Sequence, residues 1–104
     1  MLSILRPSIL CSGTILLFLA SQAKADQAQI EAAIQDSSDF AVHRDAFLAA
    51  SERLIASGRC SVADFKDMAG WAKSSRGESI YLIYCGGYHT DNRIYVDVST
   101  GEIF

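Results

Sequence analysis

The side chains best suited to chemistry are two cysteines, Cys60 and Cys85, two histidines, His43 and His89, and the dense run Tyr84-Cys85-Gly86-Gly87-Tyr88-His89. Paired glycines let backbone amides approach a ligand, and the flanking aromatics with a histidine could line it. The same glycines also suit a turn that needs positive φ after a strand, with Tyr81, Tyr84, Tyr88 and Tyr95 as ordinary sheet residues carrying polar tips. No Gly-x-Gly-x-x-Gly or Gly-Lys-Ser continuation follows, so a phosphate loop is excluded. The cysteines lack Cys-x-x-Cys spacing, and only His43, His89 and Asp91 could join them around a metal, with His43 in a predicted helix and nothing that brings it near the others. No metal or cofactor is expected. Ser61 is better placed as a helix cap than as a nucleophile, and Gly-x-Ser-x-Gly is absent. Asp64 and Asp67, three apart on a helix, read as a solvated face rather than an acid/base pair. No catalytic residue is assigned and an enzyme is not expected.

The compartment decides how the cysteines behave. Residues 1–25, MLSILRPSILCSGTILLFLASQAKA, read as an export signal: Arg6 supplies a positive start, Ile15 to Ala20 an apolar run, and Ala23-Lys24-Ala25 a small-x-small cleavage site. Ser12 and Gly13 interrupt the apolar stretch, which falls short of the roughly 20 residues a spanning helix needs. Cys11 follows Leu10 rather than a small residue, which argues against lipidation. Cleavage after Ala25 leaves 26–104 as one small domain, periplasmic or secreted, with no membrane attachment. It removes Arg6 and Lys24, so nine basic residues become seven against twelve acids and the formal charge moves from −3 to −5. An acidic chain without a basic cluster does not suit nucleic acid. The two remaining cysteines in an oxidising compartment predict a Cys60 to Cys85 disulfide. Such a bridge adds roughly 3 to 4 kcal/mol to a domain whose core is small.

These residues must be positioned by the elements around them. Asp26 to Gln35 predicts a short helix with Ile30 and Ile34 one turn apart, although its docking is open. Asp36-Ser37-Ser38 offers cap acceptors for a second helix over Asp39 to Ser57, where Phe40, Phe47 and Leu54 share a face with Leu48 and Ile55. Gly58 suits the C-terminal end. Ser61 and Asp64 form a capping pattern for a short third helix, ending near Gly70 or running through Trp71 to Lys73. A polar loop covers Ser74 to Glu78. Ile80 to Cys85 has the continuous apolar character of a central strand. Arg93 to Val98 then alternates, with Ile94, Val96 and Val98 inward and Arg93, Tyr95 and Asp97 outward. A turn at Ser99-Thr100-Gly101 precedes a last short strand, Glu102 to Phe104. The class is α+β: N-terminal helices packed on a small antiparallel β-sheet formed by the C-terminal third, with one disulfide.

Trp71 has two readings, as core beneath the sheet or as a partly exposed anchor for a protein partner, extended by Tyr88, Arg93 and Tyr95. The run Arg93-Ile94-Tyr95-Val96-Asp97-Val98-Ser99-Thr100-Gly101-Glu102-Ile103-Phe104 resembles the closing strand of PepSY domains, in which a tyrosine-containing strand enters Val-Asp-x-x-Thr-Gly-Glu-Ile. The likeness covers about twelve residues. It implies a small exported α+β module that inhibits secreted peptidases or binds other extracytoplasmic proteins without catalysis. The cysteine pair, the Gly86-Gly87 loop and the longer helical part depart from that family's pattern, and no functional residue is carried over. The expected function is a non-catalytic protein-binding or inhibitor-like module with an unknown protein partner. The rival expectation is an accessory structural component of an envelope assembly such as a secretion or conjugation apparatus.

Overall fold

The computed structural model describes residues 27–104, so the export signal read at 1–25 lies outside the described residues. Three helices precede a three-stranded antiparallel sheet in the order β1-β2-β3. Helix α1 (residues 27–34) docks through Ile30, Ala33 and Ile34, all buried. A salt bridge from Arg44 to Glu31 fastens its outer side to α2.

Helix α2 spans Phe40–Ala56 and buries Phe47, Ala50, Ser51 and Leu54. Its beginning departs from the expected cap. Asp39 takes the N-cap position in the left-handed region at φ 57° and makes no side-chain cap. Its carboxylate instead accepts from Tyr81 OH at 2.7 Å. Ser37 is turned inward, donating to Ile34 O at 2.6 Å and accepting from Trp71 N at 2.8 Å. The cap residues are therefore used for tertiary contacts, which outrank local capping wherever a buried amide needs a partner. The helix is bent at His43, whose φ/ψ is non-helical. It closes as the glycine predicts, with Gly58 at φ 80° and its N–H on Ile55 O.

Helix α3 covers Val62–Asp67, and its capping box is complete: Ser61 Oγ accepts from Asp64 N while Asp64 accepts from Ser61 N. It stops earlier than either expected end. Ala69 and Gly70 both adopt positive φ, 56° and 82°, and turn the chain so that Ala72–Lys73 becomes the edge strand β1. A Cβ at Gly70 would collide with Ser37 Oγ, so only glycine permits this close approach.

Strand β2 (Ile80–Tyr84) is central as its composition predicts, pairing with β1 on one side and β3 (Arg93–Asp97) on the other. The register sets Tyr81 against Val96, Leu82 against Tyr95, Ile83 against Ile94 and Tyr84 against Arg93. Ile103 bridges Val96, and Phe104 exchanges backbone hydrogen bonds with Tyr95, so the final residues lie along the free side of β3. The alternation sends Tyr81, Ile83, Ile94 and Val96 toward the helices, where they meet Ile34, Phe47, Leu54, Phe65 and Trp71 in one core. Burying each such side chain contributes about 1.5 to 3 kcal/mol.

The Cys60–Cys85 disulfide is formed, with a Cα separation of 5.2 Å across 25 residues. It ties the turn between α2 and α3 to the end of the central strand. Among the described residues no helix is long and apolar enough to cross a membrane.

Candidate binding face

Strand alternation that sends one set of side chains to the helices sends the other to the opposite side of the sheet. Ile80, Leu82 and Tyr84 on β2 and Arg93, Tyr95 and Asp97 on β3 occupy that outer face. Ile80, Leu82 and Tyr84 stand outside the core cluster, and they and Arg93 are half-buried. Cross-strand pairing brings Tyr84 beside Arg93, whose Nη2 and Nε donate to Tyr84 OH at 2.7 and 3.0 Å. The remaining arm, Nη1, donates to Tyr95 OH at 3.2 Å. One guanidinium thus fixes two phenols in a common orientation.

Tyr95 points outward as the alternation requires, yet it is only 8% exposed. Its expected exposure is corrected by two neighbours. The chain returning after Gly101 stacks Phe104 on the Tyr95 ring at 5.6 Å, and the loop after β1 sets the Arg76 guanidinium 4.3 Å from the ring centre. Tyr88 stands at the other end of this face, 79% exposed, with its ring 5.4 Å from Tyr84. Gly86 and Gly87 hold it there at φ 97° and 114°, in a loop anchored by Gly86 N to Asp64 Oδ1 and by Asn92 Nδ2 to Gly87 O. Asp97 accepts from both the backbone and the hydroxyl of Ser99, and these bonds hold its carboxyl below the usual range.

Trp71 does not belong to this face. It is 1% exposed, stacked near Phe47 and tilted against Phe65, with Nε1 donating to Ser51 Oγ at 3.0 Å. Of the four candidate contact residues the fold therefore gathers Tyr88, Arg93 and Tyr95 and withdraws Trp71 into the core. The reason is the tight turn at Ala69-Gly70, which points the indole beneath the sheet instead of continuing α3 along the surface.

Sequence reasoning missed Arg76 as a member of this patch and did not join Tyr84 to Arg93 and Tyr95. Tyr84 was legible, because it alternates with Tyr81 and Ile83. Arg76 sits in a polar loop whose path no local pattern encodes.

The histidines lie apart. His43 packs against Phe47 and Tyr81, while His89 Nδ1 lies 3.6 Å from Asp91 at the surface. Among the described residues no three His, Cys, Asp or Glu side chains converge as metal ligands. An open cleft of about 420 Å³ runs between α1 and α3, lined by Gln29, Ala32, Ala33, Val62, Ala63 and Lys66. It lacks the convergent polar groups that orient a small ligand.

No family model, no curated protein and no solved structure matches this chain. The PepSY likeness accordingly rests on the twelve closing residues alone.

Proposed function

We propose that the protein is a non-catalytic, exported binding module of the periplasm or secreted fraction, which contacts a protein partner through the outer face of its sheet. The observation that carries this reading is the ordered aromatic and cationic patch of Tyr84, Arg93 and Tyr95, with Tyr88 exposed at its end. Tyrosine and arginine dominate the energetics of protein interfaces, because each combines large contact area with directed hydrogen bonds. Fixing the phenols before contact lowers the ordering cost of binding. Export rests on the leader at 1–25, and the disulfide suits an oxidising compartment. An inhibitor-like role follows from the PepSY resemblance.

Placing a photo-crosslinking phenylalanine derivative at Tyr88 in the native host tests this. The expected result is a discrete covalent adduct from position 88 and none from Ala49, which is exposed on α2. Equal labelling from both positions, or none from Tyr88, refutes the reading. Native sizing of the adduct separates a free binder, found in a small complex, from an accessory component of a secretion or conjugation apparatus, found in a large one.

A further inference from the structure

Two guanidinium groups converge on Tyr95 with no acid between them. Arg93 Nη1 donates to its hydroxyl at 3.2 Å, and Arg76 Cζ lies 4.3 Å from its ring centre, so a single tyrosine side chain separates the cations. Among the described residues neither forms an ion pair. Asp97 on this face is engaged with Ser99, and Glu102, which lies opposite Asp97 on the returning chain, pairs with neither arginine. Arg93 directs three of its N–H groups at phenols, whereas the Arg76 guanidinium stacks on Tyr95 and donates to no described residue.

This arrangement is unusual for a chain with twelve acids and nine bases. Like charges held side by side repel each other, and a carboxylate set over them would relieve that repulsion. The planar guanidinium fork also matches a carboxylate in two hydrogen bonds. The surroundings are apolar and aromatic, with Leu82 across from Tyr95, Phe104 stacked on it and Tyr88 exposed beyond Tyr84. Such neighbours would bury a side chain adjacent to the acid. A free inorganic anion would use the cations and leave Tyr88 and Phe104 idle.

We propose that Arg76 and Arg93 form a carboxylate-binding locus on the outer sheet face, and that the partner presents an acidic peptide segment with an aromatic or aliphatic side chain beside its acid. The proposal rests on the outer face being the contact surface. Its specificity would come from charge complementarity, with the aromatic rim supplying apolar contact.

The test is a nuclear magnetic resonance titration of the exported protein, following the arginine Nε–H signals and backbone amides. The probes are the capped peptide Gly-Glu-Phe-Glu-Gly, its glutamine counterpart Gly-Gln-Phe-Gln-Gly, and sodium phosphate. The glutamate peptide should shift Arg76 and Arg93 together with the amides of Leu82 and Tyr95, leaving Arg44, Arg53 and Arg59 unmoved. The glutamine peptide should bind about tenfold more weakly, since each charge-assisted hydrogen bond contributes more than a neutral one. Arg76→Gln, an exposed change that leaves the Arg93 to tyrosine bonds in place, should weaken the glutamate peptide by about fivefold or more. Equal affinity for the two peptides at this face would overturn the carboxylate locus and leave the binding face standing. Phosphate shifting both arginines as strongly as the peptide would overturn the peptide partner. Absence of any shift on the outer face would overturn the locus, while the binding reading would still be judged by the adduct at Tyr88.

Discussion

The indole nitrogen of Trp71 donates to the hydroxyl of Ser51 across 3.0 Å, inside a core where both residues are at most 1% exposed. Ser51 has no apolar role on α2, and its presence at a buried position is explained by the one donor that Trp71 brings inward. Removing the acceptor strands that donor. Ser51→Ala should lower unfolding free energy by about 1 to 3 kcal/mol in urea denaturation, the cost of a buried unpaired group. Trp71→Ala should do worse, by about 3 to 5 kcal/mol, because it also empties the space between Phe47 and Phe65. A Trp71→Ala protein that melted normally would contradict the core assignment.

Gly70 offers a sharper comparison because a second glycine shares its backbone conformation. Gly70 and Gly58 have φ of 82° and 80°, but a side chain at Gly58 meets nothing within 4 Å, while one at Gly70 strikes Ser37. Gly58→Ala should therefore cost about 1 to 2 kcal/mol from backbone strain alone. Gly70→Ala should exceed that clearly, since Ser37 must move and release both Ile34 O and Trp71 N. Equal losses by calorimetry would mean that the Ser37 contact contributes nothing.

The elements that sequence pattern resolved are those whose stability is local. The capping box of Ser61 and Asp64, the glycine end of α2 and the alternation of β3 each depend on residues within a few positions, and each is where the pattern puts it. Positions that sequence could not resolve depend on partners far along the chain. Ser37 looks like a helix cap until Trp71 arrives 34 residues later, and Tyr95 looks exposed until Phe104 and Arg76 cover it. The fate of Trp71 turned on two positive-φ residues, of which Gly70 was visible and Ala69 was not. The candidate face was half legible, through outward Arg93 and Tyr95 and the glycine-held Tyr88. Arg76 was hidden by the loop that carries it.

The disulfide closes a loop spanning 25 residues, which limits the unfolded chain by about 3.5 kcal/mol on the loop-entropy model. The paired replacement Cys60→Ser with Cys85→Ser should lose a comparable amount and increase protease sensitivity. Cys60 and Cys85 belong to the core cluster, which includes neither Tyr84 nor Tyr88, so any residual folded protein should keep its outer face. An unchanged denaturation midpoint would show that the bridge does not stabilise the domain.

Asp64 links the start of α3 to the glycine loop after β2. One oxygen accepts from Ser61 N and Oγ at the start of α3, and the other accepts from Gly86 N at 3.1 Å. The Ser61 amide chiefly holds its carboxyl below the ordinary aspartate range, with Gly86 N and Ser61 Oγ adding to it against the cost of partial burial. A folded value below the unfolded one means that the unfolded chain binds its proton first. The stabilisation is therefore present above about pH 4 and is lost as pH falls through the lower folded value. Asp64→Asn should remove this acid-dependent part, flattening the fall of the urea midpoint below about pH 4. A wild-type slope in the variant would assign the acid sensitivity to other carboxylates.

Tyr81 gives the opposite sign at the other end of the pH scale. Burial in the core pushes its phenol up from 10.0 to about 12, and the hydrogen bond to Asp39 with that residue's negative charge pushes in the same direction. The folded chain thus keeps a proton that the unfolded chain has already released between these values. Stability from Tyr81 is complete below about pH 10 and declines as pH rises toward about 12. Ultraviolet titration should show one tyrosine, Tyr81, ionising near 12 or only on unfolding. Asp39→Asn should lower that titration by removing the carboxylate's charge while retaining a side-chain acceptor for the phenol. Ionisation of Tyr81 near 10 in the folded protein would rule out the Tyr81 to Asp39 bond at the start of α2.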